Sequence, residues 1–463
     1  MNEIQTRYIE NLKSKKIAVI GIGVSNAPVC KMLKQLGCDV IACDKKSIGE
    51  LGTFGEVLTE CEIPLKSGDD YMDNLDVDVI VRAPGMYYLN EKLQAYKAKG
   101  ITVTSEMEMF FDLCPCKIYA ITGTDGKTTT TSIVTEMLEK SGKKVYKGGN
   151  IGTALLPFVF EMTADDVAVV ELSSFQLISM RQSPDVAAIT NVYPAHLKVH
   201  SDMEEYIGAK LNLLLHQNSF SKAVLNLDNE DTNALSKYVR GDLYKFSHLQ
   251  KVERGSYLDK DGFLCFTDGK VNEKIVHKDE IKIPGMHNVE NYLTAISIVH
   301  GDVENEHIRD VANTFSGVEH RIEFVRELEG VRYYNDSIAT SPASVTAGLC
   351  SFGIKIIIIA GGSDKKLDYS TLSGALNKYV KTLILMGDTA EKIESAVVND
   401  KTYNKENITI LHADNMEEAV ALARDNAQSG DVVSLSPASA SFDKYRNFEE
   451  RGKHYKSIVN GLC

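Results

Sequence analysis

A glycine-rich loop carries the residue types best suited to phosphate chemistry. Its residues are Gly123, Thr124, Asp125, Gly126, Lys127, Thr128 and Thr129. The loop follows an apolar run at 117–122 and precedes a helical pattern. Backbone N–H groups of such a loop surround phosphate oxygens, the Lys127 ammonium meets the terminal ones, and the Thr128 hydroxyl can hold Mg²⁺. Because Ile121 replaces the first glycine of the usual P-loop and the loop is shorter, an incidental glycine turn is the alternative, and we favour phosphate binding.

Two further side chains suit metal chemistry. Glu171 ends an apolar run at 167–170, and a carboxylate at a strand end suits a hard cation such as Mg²⁺. An ordinary strand-end acid is the alternative. Lys210 lies in a helical run at 203–215, and from the pattern alone it is interpreted as a solvated surface lysine.

Two histidines stand four residues apart, at 196 and 200, after an apolar run at 187–190. His196 and His200 could bind zinc if the segment were helical. Leu197 occupies the place of the glutamate in H-E-x-x-H, so zinc is the less favoured interpretation.

The N-terminal region has the pattern of a nucleotide-binding βαβ turn. A strand at 17–20 leads into Gly21 and Gly23, and a second strand at 39–42 ends near Asp44. Glycines let the backbone approach an anion at the start of the following helix. Asn26 stands where the third glycine of the dinucleotide fingerprint belongs. A tight turn without a dinucleotide therefore remains open, and a nicotinamide-dependent oxidoreductase is disfavoured.

Short apolar runs alternate with helical patterns along most of the chain, which predicts an α/β fold of parallel sheets with crossover helices. We predict three domains, at 1–108, 109–317 and 318–463. In the third, the runs at 355–360, 382–386 and 432–435 each end in small or polar residues. Such ends predict a site at the carboxyl edge of a sheet.

The amino-acid composition indicates which binding partners and which cellular compartment suit this chain. Lys and Arg total 51 against 64 Asp and Glu, a net charge of −13, which disfavours nucleic acid and anionic membranes as partners. We expect no secretory signal and no membrane helix, because no apolar h-region and no run of about 20 apolar residues occurs. The nine cysteines are scattered and indicate reduced cytoplasmic thiols. Cys114 and Cys116 lie close, which is weak evidence for a metal site.

Seven motifs in order resemble those of the Mur ligase family. They are G-T-D-G-K-T-T at 123–129, G-G-N-I-G at 148–152, E-L-S-S-F-Q-L at 171–177, G-M-H-N-V-E-N at 285–291, H-R-I-E-F at 320–324, N-D-S-I-A-T at 335–340 and S-P-A-S-A-S-F-D-K-Y-R-N-F-E-E-R-G at 436–452. The resemblance spans nearly the whole chain. It implies an N-terminal Rossmann-like UDP-binding domain, a central P-loop ATPase-like domain and a C-terminal Rossmann-like domain.

The resemblance also implies an activity: ATP-dependent amide-bond formation through an acyl phosphate, in peptidoglycan precursor synthesis. The segments at 171–177 and 436–441 resemble those of the members that add D-glutamate, and D-N-P-R of the diamino-acid-adding members is absent. The implied substrates are UDP-N-acetylmuramoyl-L-alanine and D-glutamate, with ATP and two Mg²⁺ ions, and we expect a monomer. Another Mur-type amide ligase, a P-loop kinase or ATPase, and a non-catalytic nucleotide-binding regulator remain alternatives.

The resemblance implies residue roles as well. Those implied to contact ATP are the loop residues 123–129 with Asn288, Asn291, Arg321 and Asp336. Those implied to hold the metals are Thr128, Glu171, His196 and Lys210, the lysine being carbamylated. Those implied to bind the other substrates are Ser25, Asp44 and Lys45 for UDP, Asn150 for the muramoyl part, and Thr340, Lys365, Ser441 and Phe448 for D-glutamate. The implied catalytic residues are Lys127, His196 and Lys210, and the base that deprotonates the amine is left open between His196 and phosphate oxygens.

Three positions depart from the family pattern. Ala195 and Lys198 stand where relatives often have Asp, and Ile338 stands where Lys is common. The first two bear on the metal environment of His196, and the third bears on one contact to the glutamate carboxylate.

Overall fold

The computed structural model describes residues 1–195, 199–365 and 367–463. The chain divides into two compact units, one formed by 1–278 and 290–311 and the other by 279–289 and 312–463. The first unit contains two sheets and the second contains one. One sheet lies within each predicted domain, so the α/β, three-domain architecture is confirmed. The domain boundaries themselves remain predictions.

The N-terminal sheet has five parallel strands in the order β3-β2-β1-β4-β5. Its strands are β1 Lys16–Ile20, β2 Asp39–Asp44, β3 Leu65–Ser67, β4 Val79–Arg82 and β5 Thr102–Ser105. Its helices are α1 Glu3–Lys13, α2 Asn26–Gln35, α3 Thr53–Glu60, α4 Glu91–Ala98 and α5 Glu106–Leu113. The central strand β1 is continuously buried after its first residue, as expected for a parallel strand covered on both faces. This is the Rossmann-like arrangement that the sequence predicts.

The central sheet has nine strands in the order β14-β13-β12-β11-β10-β9-β6-β8-β7. Its strands are β6 Lys117–Thr122, β7 Val145–Gly149, β8 Val167–Glu171, β9 Val186–Ile189, β10 Lys222–Asn226, β11 Asp242–Ser247, β12 Gly255–Leu258, β13 Phe263–Thr267 and β14 Asn272–His277. The helices along this part of the chain are α6 Lys127–Lys140, α7 Ser174–Leu177, α8 Met203–Leu215, α9 Glu230–Ala234, α10 Met286–Val299 and α11 Asn305–Thr314. Only the β12–β13–β14 meander is antiparallel.

The order of this sheet places the predicted site residues at one edge. Strand β6 lies between β9 and β8, and all three run parallel. The carboxyl ends of parallel strands meet at one edge of the sheet. The loop after Thr122, the carboxylate of Glu171 and the residues after Ile189 therefore converge there.

The third sheet has six strands in the order β15-β16-β20-β17-β18-β19, parallel except for the β15–β16 hairpin. Its strands are β15 Glu323–Leu328, β16 Val331–Asn335, β17 Ile356–Ala360, β18 Val380–Leu385, β19 Thr409–His412 and β20 Val432–Leu435. Its helices are α12 Pro342–Phe352, α13 Ser370–Tyr379, α14 Ala390–Val398, α15 Met416–Asp425 and α16 Phe448–Gly461. The three runs predicted in this region are strands β17, β18 and β20.

The two sheets of the first unit share one core. A single cluster of buried apolar side chains includes Phe110 of α5, Leu156 before α7 and Leu225 of β10. In the third sheet, apolar clusters lie on both faces. Among the described residues, every helix is too short or too polar to span a lipid bilayer.

Candidate active site

The backbone conformation of the predicted phosphate loop requires glycine at two positions. Gly123 has φ of 155°, and a Cβ there would lie 1.8 Å from the Thr190 hydroxyl oxygen. Gly126 has φ of 79°, and a Cβ there would lie 2.4 Å from Asn291 Oδ1. A side chain would therefore meet both backbone strain and a clash. The loop between β6 and α6 has the conformation that its glycines predict.

The loop is held by the two residues that follow β9. Asn191 Oδ1 accepts a hydrogen bond from Asp125 N at 2.8 Å, and Asn191 O accepts one from Thr124 N at 2.9 Å. The Thr190 hydroxyl donates to Asp125 O at 2.6 Å. Thr190 and Asn191 belong to none of the seven motifs. Their position directly after an apolar strand beside β6 is the sequence signal for this role.

Helix α6 begins directly at Lys127, with Gly126 as its N-cap. The N–H groups of the first turn, which include those of Thr128 and Thr129, lack partners within the helix and form an anion-binding end. Lys127 Nζ donates to Thr124 O at 2.8 Å, so the ammonium lies over the loop. The loop and the start of α6 thus have a geometry suited to an anion, and phosphate binding by residues 123–129 remains a prediction.

Glu171, the last residue of β8, is 1% exposed. Asn150 Nδ2 donates to its Oε1 at 2.7 Å, and among the described residues Oε2 has no hydrogen-bond partner. A buried carboxylate oxygen without a donor is costly unless a cation or a proton meets it. The side chain therefore fits a divalent cation with oxygen ligands.

Lys210 is buried, which corrects the interpretation of this residue as a solvated surface lysine. It is 1% exposed, Nζ donates to Gly123 O at 2.8 Å, and the ammonium lies 4.6 Å from the centre of the Tyr206 ring. Burial, with a smaller contribution from the positive charge of Lys127, lowers its pKa to about 7, although Asp125 opposes the shift. The pattern could not reveal this because helix α8 presents Lys210 to the loop after β6, distant in sequence.

The histidine pair is described only in part. His196 and Lys198 lie outside the described residues. His200 is 1% exposed; its Nδ1 lies 2.7 Å from Glu205 Oε1 and its Nε2 lies 2.9 Å from Ser174 Oγ. Within 1–195, 199–365 and 367–463, no group of three or more His, Cys, Asp or Glu side chains could hold a metal.

A buried network, which the sequence pattern does not predict, joins the loop after β4 to helix α7. The Tyr87 hydroxyl donates to Glu205 at 2.8 Å, and His200 stacks on Phe175 with ring centres 5.3 Å apart. Arg82 is fully buried and donates to Met86 O at 3.0 Å. The same guanidinium donates to Phe175 O at 3.0 Å and to Ser179 Oγ at 2.7 Å. Because α7 follows Glu171 closely, this network fixes the segment that carries the candidate metal ligand.

The predicted UDP residues lie at the carboxyl edge of the N-terminal sheet. The Asp44 carboxylate accepts hydrogen bonds from Ile22 N at 2.6 Å and Lys46 N at 2.9 Å. Ser25 precedes α2, and Lys45 pairs with Asp69 at 3.0 Å on the surface. Asp44 thus holds the glycine turn in shape. Asn150, predicted for the muramoyl part, contacts Glu171 in the central sheet.

Two asparagines were predicted to contact adenine. Asn291 Oδ1 accepts from the Thr130 hydroxyl at 3.2 Å, close to Gly126. Asn288 belongs to the second unit, where its Nδ2 donates to Pro284 O at 2.6 Å. Their nucleotide contacts remain a prediction.

In the second unit, Asp336 follows β16 and is 4% exposed. Its Oδ1 accepts from Ile322 N at 3.2 Å. Burial raises the pKa of Asp336 to about 7, against the opposing effects of this hydrogen bond and of the nearby positive charge of Arg321. The predicted pair Arg321 and Asp336 is therefore close enough to interact.

The predicted D-glutamate residues follow three strands of the third sheet: Thr340 follows β16, Lys365 follows β17, and Ser441 and Phe448 follow β20. Ser441 is buried, Thr340 and Phe448 are half-buried, and Lys365 is exposed. Arg451, which was not among the predicted residues, is 3% exposed and donates to Ser337 O at 2.9 Å and Ala440 O at 3.0 Å. Burial lowers the pKa of Arg451 to about 10. This guanidinium ties the N-D-S-I-A-T and S-P-A-S-A-S segments together.

Comparisons with known proteins show which family the chain resembles. The Mur ligase middle domain matches residues 121–299, and the Mur ligase glutamate ligase domain matches residues 320–439. The UDP-N-acetylmuramoylalanine--D-glutamate ligase of Acetivibrio thermocellus is 47% identical over 100% of both chains, and that of Clostridium kluyveri is 48% identical over 97% of this chain and 98% of its own.

A solved structure extends the likeness to the fold. UDP-N-acetylmuramate-alanine ligase MurC from Thermotoga maritima superposes with a TM-score of 0.57 at 17% identity, over 96% of this chain and 99% of that one. The chain belongs to the Mur ligase family, in the branch of the UDP-N-acetylmuramoylalanine--D-glutamate ligases.

Proposed function

We propose that this chain uses ATP to join D-glutamate to UDP-N-acetylmuramoyl-L-alanine, a step of peptidoglycan precursor synthesis. Relatives named for this reaction match the chain over its whole length. The observation that carries the proposal is the convergence of three features at the edge formed by β9, β6 and β8. They are the phosphate loop, the unpartnered carboxylate oxygen of Glu171 and the buried amine of Lys210.

The reaction needs an activated carboxylate, because oxide is a poor leaving group. Transfer of the terminal phosphoryl group of ATP to the L-alanyl carboxylate gives an acyl phosphate. The neutral amine of D-glutamate then attacks the carbonyl carbon, phosphate leaves, and the nitrogen gives up one proton. Lys127 and the first-turn N–H groups of α6 would stabilise the phosphoryl oxygens during transfer. Holding the reactants in line lowers the activation free energy of such reactions by roughly 7–11 kcal/mol.

Mg²⁺ would be held by oxygen and imidazole ligands beside the phosphate loop. We assign Thr128 and Glu171 to one ion, and His196 with a modified Lys210 to the second. Bound Mg²⁺ would neutralise negative charge on the phosphates. The buried Glu171 oxygen without a donor supports this assignment.

Lys210 would act as a carbamate. A neutral amine attacks CO₂, loses a proton and leaves an anionic oxygen donor. The lowered pKa of Lys210, about 7, makes the neutral amine available near physiological pH. An anionic group beside Gly123 would suit a cation site, whereas an ammonium there would repel Mg²⁺.

The remaining residues are assigned by substrate. Those proposed for the UDP-sugar are Ser25, Asp44, Lys45 and Asn150. Those proposed for D-glutamate are Thr340, Lys365, Ser441 and Phe448, and those for the adenosine and phosphates beyond the loop are Asn288, Asn291, Arg321 and Asp336. We place substrate, nucleotide and amino-acid binding in domains 1–108, 109–317 and 318–463. We further propose that the chain acts as a monomer in the cytoplasm; its nine free cysteines are typical of a reducing compartment.

The deciding experiment supplies UDP-N-acetylmuramoyl-L-alanine, ATP and Mg²⁺ and compares D-glutamate, L-glutamate, L-alanine and diaminopimelate. We expect phosphate release and a new amide product with D-glutamate alone. Product with a different amino acid would indicate another Mur-type ligase. Phosphate release that needs neither the acid nor the amine would indicate a kinase or ATPase, and nucleotide binding without turnover would indicate a regulator.

A further inference from the structure

Two thiols meet in the segment that joins α5 to β6. Cys114 Sγ and Cys116 Sγ lie 3.4 Å apart. Cys114 Sγ also lies 3.7 Å from Cys116 O. A disulfide bond is about 2.05 Å long, so the two sulfurs are already within a small movement of bonding distance.

The two thiols differ in exposure and acidity. Cys114 follows α5 and is half-buried, whereas Cys116 is 6% exposed. The two thiols share a hydrogen bond. This contact lowers the pKa of Cys114, and the same contact together with burial raises the pKa of Cys116. A thiolate is the nucleophile in exchange with disulfides. Cys114 therefore has the properties of the attacking thiol and Cys116 those of the resolving thiol.

Cys30 and Cys265 lack the lowered pKa of Cys114. Burial raises the pKa of Cys30 to about 12 and that of Cys265 to about 11, which makes both thiols unreactive. Cys350 and Cys463 are exposed and belong to the second unit. Within the described parts of the chain, Cys114 and Cys116 also have no third His, Cys, Asp or Glu close enough to complete a metal site. The pair is better suited to oxidation than to metal binding.

We propose that Cys114 and Cys116 form a reversible dithiol–disulfide site that reacts with low-molecular-weight disulfides. The Cys114 thiolate attacks one sulfur of the reagent, forms a mixed disulfide and expels one thiolate. The Cys116 thiol then loses its proton and attacks the Cys114 sulfur, which expels the second thiolate. Two electrons pass from the protein sulfurs to the reagent, and the protein disulfide closes across Pro115. The site lies at the start of β6, which leads into the phosphate loop.

The test uses the full chain and oxidised glutathione, followed by acid quenching, alkylation and trypsin. The tryptic peptide at 100–117 contains both Cys114 and Cys116 and no other cysteine. We expect this peptide to lose both alkylation sites and the mass of two hydrogens, and dithiothreitol to restore them. A peptide that remains alkylated at both positions after Cys350 has become glutathionylated would overturn the proposal.

Two variants test the order of the steps, and the mass of the tryptic peptide at 100–117 is the only quantity that has to be measured. Cys116→Ser should trap a stable glutathione adduct on Cys114, and Cys114→Ser should leave Cys116 without an adduct. Cys350→Ser is the matched control and should leave disulfide formation at 100–117 unchanged. An adduct on Cys116 in Cys114→Ser, or none on Cys114 in Cys116→Ser, would contradict the assigned roles. Because no readout depends on ligation, these outcomes are independent of the proposed function.

Discussion

At the scale of single residues, burial decides what the charged groups of the site can do. Lys210 is enclosed by Tyr206 and the backbone of Gly123, and its ammonium shares the region with Lys127. Desolvation and a like charge both favour the neutral amine. Glu171 is equally buried, but its Oε2 has no hydrogen-bond donor among the described residues. This carboxylate oxygen therefore requires a positively charged partner. Carbamylated Lys210 and Glu171 would both be anionic oxygen donors, and each is proposed to hold one of the two Mg²⁺ ions.

Carbamylation of Lys210 should therefore depend on pH. Since its pKa is lowered to about 7, the reactive neutral form increases as pH rises through 7 and is lost below it. With ¹³C-labelled bicarbonate, we expect a carbamate resonance at about pH 8 that fades by about pH 6. Lys210→Arg, whose guanidinium stays protonated, should lack the resonance. A signal of equal strength in that variant would assign the carbamate to another amine.

Lys127 should be indispensable for turnover but not for folding. Lys127→Ala removes the ammonium over the phosphate loop, and losing one such electrostatic group typically lowers kcat roughly 100- to 1000-fold. Phosphate release in the complete assay measures the loss, and circular dichroism checks the fold. Lys143→Ala, at an exposed position after α6, is the matched control. Turnover of Lys127→Ala near that of Lys143→Ala would refute the assigned role.

At the scale of elements, helix α7 is the short segment on which several parts of the first unit converge. It follows β8 and the candidate metal ligand Glu171. Arg82 of the N-terminal sheet donates to its backbone, and His200, which precedes α8, contacts the Ser174 hydroxyl. The imidazole bridges Ser174 and Glu205, so one side chain joins the first residue of α7 to the first turn of α8. A four-residue helix has little stability of its own, and these contacts maintain its position.

Replacing His200 should weaken both the fold and the reaction. His200→Phe keeps an aromatic ring against Phe175 but removes both hydrogen bonds, one of them to a carboxylate, at a cost of roughly 1.5–3 kcal/mol. We expect a lower denaturation midpoint together with a lower kcat, because Glu171 lies just before α7. His216→Phe, at the exposed end of α8, should change neither. A variant with wild-type midpoint and kcat would show that the bridge is dispensable.

At the scale of the whole molecule, stability comes from apolar side chains of different elements that are buried together, and surface ion pairs add little. Exposed ion pairs such as Lys16–Asp76 and Lys13–Glu10 contribute little in water. The first unit instead buries one continuous apolar cluster under both of its sheets. Glu106 lies at this junction, where its carboxylate accepts hydrogen bonds from Leu155 N and Leu156 N, each at 2.9 Å.

Glu106 should make the first unit less stable as pH rises. Burial raises its pKa to about 7 although the two hydrogen bonds oppose the shift, so between about pH 4 and 7 the folded chain binds more protons than the unfolded chain. The folded state therefore loses stability across that window. Glu106→Gln keeps an acceptor without the charge and should raise the unfolding free energy at about pH 8 by up to about 3 kcal/mol, with no gain at about pH 4.

Chemical denaturation at the two pH values measures this effect. Glu60→Gln, which changes an exposed acid at the end of α3, is the control and should show no such pH-dependent gain. An equal change in unfolding free energy for Glu106→Gln at both pH values would contradict the expected coupling between ionisation of Glu106 and stability.

The sequence by itself determined the features that depend on local order: the alternation of strands and helices, the glycine loop after β6, and the ordered motifs that indicated the family. A glycine position or an apolar run acts on the backbone within a few residues, so it is visible in the pattern. Most of the predicted strand runs differ from the observed strands by one or two residues, and the run at 117–122 matches β6 in full.

Only the tertiary structure decided the properties that depend on distant neighbours. The burial of Lys210, the hydrogen bonds of Asn191 to the phosphate loop and the bridge made by His200 all join segments that are far apart in sequence. A pKa or a hydrogen bond depends on the solvent and charge around a group, and packing between elements sets both. Even the neighbouring thiols of Cys114 and Cys116 required the fold, because spacing does not determine the direction in which two side chains point.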